Sequence, residues 1–260
     1  MKALVLAGGF ARRLGGAAEN TPKALIPLHD NKPVIEYLLE KLEEIDGLQN
    51  VFISTNAKFK RQFQEWLERR RLRETQTGPK APLRLDLVTL EAKTEEEKRG
   101  PVRTVQFVVD QEKIREDLLV VAGDNLFDFA LGDFVRFASK KRAVTLGAYD
   151  VGSADEAKKM GVLEIDSKHG RVTEFEEKPK YPKSTLVSLA VYFFPQDSLN
   201  LIGDYLGTLG QQLRPGPGEL IQWLAKENHK IYAFVFDGTW IDIGSPESLE
   251  RARKAVANWR

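Results

Sequence analysis

The chain has 260 residues, room for one large domain or two small ones, and its 42% hydrophobic and 30% charged residues suit a folded core under a solvated surface. Its 39 basic and 38 acidic side chains leave a formal net charge of +1, which argues against general nucleic-acid binding and confines any basic site to a local cluster. With no cysteine, disulfides, thiolate nucleophiles and cysteine-bound metals are excluded, and His29, His169 and His229 show no metal-ligand spacing.

Strand-like and helix-like segments alternate, which predicts an α/β fold with a largely parallel sheet. Residues 2–7 form the first expected strand. Residues 33–45 predict a helix with Val34, Leu38, Leu42 and Ile45 on one face and Asn31 as its cap. A strand at 51–54 follows, then a helix marked by Phe59, Phe63, Trp66 and Leu67 that runs to about Leu72. Its basic end, residues 69–73, predicts a solvated terminus where cations complement the helix dipole. Segments 75–82 and 91–100 are loops by composition. Strands at 83–90 and 118–122 flank a helix at 101–109, and the uniformly apolar 118–122 run belongs inside a sheet. Later strands are expected at 143–149, 162–165, 172–175, 186–194 and 230–236, with helices at 218–227 and 246–257. No apolar run reaches the length of a membrane span, and the chain opens on a strand rather than a signal peptide. A cytoplasmic protein with no membrane or nucleic-acid partner is expected.

The run LVLAGGFARRL at 4–14, with Thr21-Pro22-Lys23 close behind, carries the strongest functional signal. Leu4, Val5 and Leu6 read as a buried strand, and Gly8 and Gly9 follow where a strand in an α/β protein meets its ligand. Glycine permits a sharp turn and a close approach of backbone N–H groups to phosphate. Arg12, Arg13 and Lys23 bring cations to the same region, so the segment reads as a triphosphate cradle. It is neither of the two commoner kinds. Lys23 is followed by Ala24, which breaks the Gly-x-x-x-x-Gly-Lys-Ser/Thr pattern, and no Gly-x-Gly-x-x-Gly occurs here.

Four further places carry chemistry-bearing residues. Ala122-Gly123-Asp124-Asn125 ends an apolar strand, which puts a carboxylate at the edge where α/β ligands bind. Trp240-Ile241-Asp242-Ile243-Gly244 lies just beyond the last strand, and Phe175-Glu176-Glu177-Lys178-Pro179 closes an alternating one. Met160-Gly161-Val162 precedes another. Taken singly, each has a plainer reading: a turn cap at Asp124, a surface turn at Asp242, a solvated charge run at 176–178, a turn glycine at Gly161.

Together, these motifs resemble the sugar-1-phosphate nucleotidylyltransferases, or NDP-sugar pyrophosphorylases. That family opens with Leu-Ala-Gly-Gly, three variable residues, Arg-Leu and then Pro-Lys, here Leu6-Ala7-Gly8-Gly9, Arg13-Leu14 and Pro22-Lys23. The resemblance spans 2 to about 244 and implies a three-layer α/β/α nucleotide-binding fold with a mixed, mostly parallel sheet. It implies one nucleotidyltransferase domain, with a nucleotide-binding portion over about 1–150 and a sugar-phosphate-binding portion over about 151–260. No hexapeptide array is visible, so no C-terminal β-helix domain is expected.

The implied partners are a nucleoside triphosphate and a sugar 1-phosphate, joined with release of pyrophosphate. The short chain is similar to the thymidylyltransferase-like members, which points to dTTP or UTP with glucose 1-phosphate. By the same resemblance, Leu6, Ala7, Gly8, Gly9, Gly100 and Asp124 contact the nucleotide, and Asp124 and Asp242 hold Mg²⁺. Arg13 neutralises the β- and γ-phosphates, Lys23 sits near the α-phosphate, and Lys178 holds the sugar phosphate. Glu177 and Gly161 contact the sugar. Family members often assemble as homo-oligomers, but no interface is legible in the sequence. The chain departs from the pattern in three places. The base-reading Gln is missing from 88–94, where Glu91 is the polar candidate. Gly15-Gly16-Ala17-Ala18 is unusually small, and Pro217 stands where an arginine sometimes occurs, with Arg214 nearby. Two other readings compete. A metal-dependent glycosyltransferase usually carries Asp-x-Asp, which Asp124-Asn125-Leu126 lacks. An inactive regulatory module of the same fold would more readily have lost Arg13, Lys23 or an aspartate.

Overall fold

The computed structural model describes residues 1–11, 14, 20–74, 83–94, 97–211 and 213–259. The chain forms two units. One comprises Met1–Lys98, Ala122–Leu131 and Gly238–Arg260, the other Arg99–Val121 and Gly132–Asp237.

In the first unit, β1 (Lys2–Leu6), β2 (Asn50–Asn56) and β3 (Arg84–Leu90) are parallel, with β2 in the middle and Leu4 opposite Phe52. Ala3, Leu4, Val5, Val51, Phe52 and Ile53 are all buried, as strands covered on both faces require. Helix α1 (Val34–Glu43) buries Val34, Leu38 and Leu42, and Ile45 just beyond it is buried too. Its expected cap is corrected. Pro33 holds the cap position, while Asp30 and Asn31 take left-handed backbone in the preceding turn, a conformation Asn and Asp tolerate well. Helix α2 is Lys60–Glu74. Its basic end is not a wholly solvated terminus. The helical period puts Phe63, Trp66, Arg70 and Arg73 on one side. Arg70 is buried and bonds Glu36 and Glu43 of α1, Arg73 reaches Glu36 at 2.8 Å, and Trp66 Nε1 donates to Glu36 at 2.8 Å.

Two short strands went unforeseen in this unit. β5 (Asn125–Phe127) pairs antiparallel with β11 (Trp240–Asp242), and three residues are too few to show a period. Helix α8 (Pro246–Ala257) starts at Ser245, whose hydroxyl accepts from Ser248 N–H at 3.2 Å. Its Leu249, Ala252 and Val256 pack with Leu126, Ile241 and Ile243 and so pin the ribbon.

In the second unit, β9 (Leu186–Phe194) runs antiparallel to both β4 (Leu118–Ala122) and β6 (Val144–Asp150), and β10 (Ile231–Val235) is parallel to β6. β7 (Gly161–Ile165) and β8 (Val172–Glu177) form an antiparallel pair joined to β9 at Val162. The helices are α3 (Pro101–Gln111), α4 (Leu131–Lys141), α5 (Ala154–Ala157), α6 (Asn200–Gly207) and α7 (Pro217–Lys226). With β1–β2, β2–β3 and β6–β10 parallel and β4–β9 and β6–β9 antiparallel, the architecture is the mixed, mostly parallel α/β expected. Among the described residues, no helix is long and apolar enough to cross a membrane.

Candidate active site

At the end of β1 the backbone turns through Ala7, Gly8 and Gly9. Ala7 N–H bonds Ser54 O at 2.9 Å, and Gly8 O accepts from Asn56 Nδ2 at 2.6 Å. A Cβ on Gly8 would stand 3.0 Å from that same nitrogen. Asn56, buried at the end of β2, therefore buttresses the turn, and sequence reasoning did not find it. Phe10 bridges Pro22, which brings Lys23 alongside Gly9. Lys23 lies in a short 3-10 turn (Lys23–Leu25) and is only 8% exposed. Its Nζ lies 3.0 Å from Asp124 Oδ2, an ion pair between side chains 10% and 23% exposed. A Cβ on Gly9 would come within 3.4 Å of Lys23 Cδ and 3.8 Å of Asp124 Oδ2. Gly9, Lys23 and Asp124 thus meet at one point, and Gly123 N–H donates to Leu6 O at 2.9 Å to fix the aspartate's turn to β1. Arg13, with Arg12 and residues 15–18, lies outside the described residues.

The two aspartates expected to share a metal are brought to one end of the β5–β11 ribbon. Asp242 ends β11 opposite Asn125, and Ile243 N–H donates to Asp124 O at 3.0 Å. Asn125 Nδ2 donates to Asp124 Oδ1 at 3.3 Å, and Trp240 Nε1 to Asn125 Oδ1 at 2.7 Å. Asn125 and Trp240 orient the site without having been singled out, although both stand inside the quoted motifs. Among the described residues, no three or more His, Asp or Glu side chains gather at metal-binding spacing. Two carboxylates, with phosphate and water oxygens completing the shell, are nonetheless a donor set that suits a hard divalent cation such as Mg²⁺.

In the second unit, the β7–β8 register sets Gly161 opposite Glu177. A Cβ on Gly161 would lie 2.4 Å from Phe175 Cζ and 2.9 Å from Glu177 Oε2, so glycine is required there by close approach. Burial pushes the Glu177 carboxyl above its ordinary value against the Lys178 ammonium, which pulls it down, while Glu219 adds a smaller upward push. Lys178 has φ 49°, and its N–H bonds Met160 O at 3.0 Å. Its Nζ lies 3.4 Å from Glu177 Oε1 on a side chain 66% exposed, free to reach an anion. Behind them, burial pushes the Tyr192 phenol up to about 12, a hydrogen bond with Ser188 opposes it, and the Glu177 charge adds to it.

Gly100 caps α3 with φ 88°, and a Cβ there would stand 2.7 Å from the Arg214 carbonyl carbon. Backbone packing alone therefore demands glycine at this place. Pro217, where the family sometimes has arginine, opens α7 at a position that suits proline.

The family model for nucleotidyl transferases matches residues 2–258. The chain belongs to the nucleotidyl transferase family. Among relatives, it is 27% identical over 256 residues to a UTP–glucose-1-phosphate uridylyltransferase of Haloferax volcanii, across 98% of this chain and 96% of that one. It is also 27% identical over 264 residues to a glucose-1-phosphate adenylyltransferase of Bacillus licheniformis, covering 96% of this chain but only 65% of that one. A solved UDP-glucose pyrophosphorylase complexed with UDP-glucose shares the fold, with a TM-score of 0.79 and 20% identity over 100% of this chain and 99% of that one. The resemblance read from the sequence is borne out for family and fold.

Proposed function

We propose that this nucleotidyl transferase joins a nucleoside triphosphate to a sugar 1-phosphate, giving an NDP-sugar and pyrophosphate, with UTP or dTTP and glucose 1-phosphate as the pair. The observation that carries the reading is the meeting of Gly9, Lys23 and Asp124 at the end of β1. A close backbone approach, a preset cation and a metal-ready carboxylate are what a triphosphate needs. The names of both relatives specify glucose 1-phosphate, and the one whose full length matches this chain uses UTP.

A sugar-phosphate oxygen attacks the α-phosphorus in line. The new P–O bond forms as the bond to the β-phosphate breaks, and pyrophosphate leaves with the electron pair. The nucleophile is already an anion, so no general base is needed, and catalysis is positioning and charge neutralisation. Leu6, Ala7, Gly8, Gly9 and Gly100 contact the nucleotide. Lys23, held by Asp124, shares its ammonium with the α-phosphate, and Arg13 neutralises the departing phosphates. Lys178 grips the sugar phosphate, and Glu177 and Gly161 take sugar hydroxyls. Asp124 and Asp242 would hold Mg²⁺, which would supply further neutralisation of phosphate oxygens.

A panel of five nucleoside triphosphates against hexose 1-phosphates tests the substrate assignment. Pyrophosphate release is expected to be fastest with UTP or dTTP plus glucose 1-phosphate and to vanish with a chelator. Preference for a purine triphosphate, or turnover that survives chelation, contradicts it.

A further inference from the structure

Glu177 is the last residue of β8, and its backbone N–H is left over by the sheet. The next residue turns back to β7 through Lys178 N–H and Met160 O, while Glu177 N–H faces α7 and is taken at 2.8 Å by Gln222 Oε1. The carboxylate also lies against α7. A Cβ built on Gly218 would stand 1.9 Å from Glu177 Oε2 and 2.6 Å from its Cδ. On the other side, a Cβ on Gly161 would stand 2.9 Å from that same oxygen. The carboxylate therefore sits in a slot bounded by two glycine α-carbons, one from β7 and one from the first turn of α7. Helix α7 is itself braced. Pro217 fills its first position, and Glu219 reaches back to the Gly216 N–H.

We propose that α7 sets the sugar-hydroxyl acceptor: Gly218 opens the slot in which the Glu177 carboxylate lies, and Gln222 holds its backbone, making both positioning residues for the sugar 1-phosphate. The proposal rests on the reading of Glu177 as the sugar contact. A carboxylate that accepts from vicinal hydroxyls must present its lone pairs in a fixed direction. Close packing against Gly218 on one side and Gly161 on the other restricts the carboxylate, and the Gln222 amide fixes the backbone that carries it. Neither Gly218 nor Gln222 needs to touch substrate to do this. Each acts through Glu177, so its loss belongs in sugar-phosphate affinity rather than in triphosphate affinity.

The test compares wild type, Gly218→Ala, Gln222→Met and Gln222→Glu. Methionine keeps the bulk of glutamine but accepts no bond from Glu177 N–H, whereas glutamate keeps an acceptor of the same reach. Gly218→Ala is expected to raise KM for glucose 1-phosphate about tenfold or more, as a small misplacement of a contact group does, while KM for the triphosphate stays unchanged. Gln222→Met is expected to move the same constant in the same direction, and Gln222→Glu to restore it in part. If Gly218→Ala fails to fold, the Gln222 pair decides the matter alone. An active wild type whose variants keep the sugar-phosphate KM overturns the α7 proposal and leaves the functional reading standing. A wild type that releases no pyrophosphate overturns the functional reading, and the slot is then judged by calorimetric binding of glucose 1-phosphate, which the variants must weaken. A wild type that binds no hexose 1-phosphate overturns both.

Discussion

Replacing Lys23 by methionine removes an ammonium while keeping most of the buried stem. Lys23 and Asp124 lie 3.0 Å apart with side chains 10% and 23% exposed. Breaking a fully buried pair costs roughly 3–5 kcal/mol and an exposed one roughly 0–1, so this pair falls between them at about 2 kcal/mol. For a chain of this size, each kcal/mol moves the melting midpoint roughly 2–4 °C, so Lys23→Met should melt about 4–8 °C lower. The cost is that of a partly buried aspartate that has lost its cation, while the Asn125 amide stays at 3.3 Å. Lys23→Met/Asp124→Asn removes that charge and should recover most of the lost stability. Activity should behave differently. Loss of a donor that stabilises transition-state charge costs roughly 10²–10³ in kcat, and the double variant regains none of it. Calorimetric melting and pyrophosphate release on the two single variants and the double complete the cycle. Turnover near wild type in Lys23→Met, or a double variant as unstable as the sum of the singles, would refute the reasoning.

Other outcomes follow from the same geometry. The Glu177 carboxyl titrates above its ordinary 4.5 in the folded state because burial penalises its charged form, so the folded chain binds more protons there than the unfolded one. Stability from this group is present below 4.5 and lost as pH rises through the raised value. Glu177→Gln should flatten that slope in pH-dependent melting and raise KM for the sugar phosphate. Glu36→Ala removes the buried carboxylate that Arg70, Arg73 and Trp66 share, with Glu43 still on the Arg70 guanidinium, and should cost about 3 kcal/mol in denaturant unfolding, with no change in KM for either substrate beyond that expected from instability. Asp242→Asn should shift the Mg²⁺ activation curve to higher metal concentration while the melting midpoint holds. An unmoved curve would remove Asp242 from the metal site.

The site was legible where local pattern carries it. A short apolar strand into Gly8-Gly9, and a strand into Gly123-Asp124, need only neighbouring residues to be read. What the sequence could not display lies in contacts made across long separations. Glu36 pairs with Arg70 thirty-four positions later, so the basic run 69–73 looked solvated until α1 lay against it. Gln222 reaches Glu177 from forty-five positions away, and Gly218 reads as an ordinary residue near a helix start until the carboxylate packs on it. Helix α4 went unforeseen although Leu131, Phe134, Val135 and Ala138 fall at helical spacing and are all buried. Helix α6, eight residues with two glycines, offered a weaker signal.

The most direct test of the account is whether pyrophosphate release from a nucleoside triphosphate requires a sugar 1-phosphate, with the NDP-sugar counted by mass spectrometry in the same reaction. One NDP-sugar is expected for each pyrophosphate, and none of either when one substrate is withheld. Pyrophosphate released from the triphosphate alone, or no release from folded protein that binds both substrates, would contradict it.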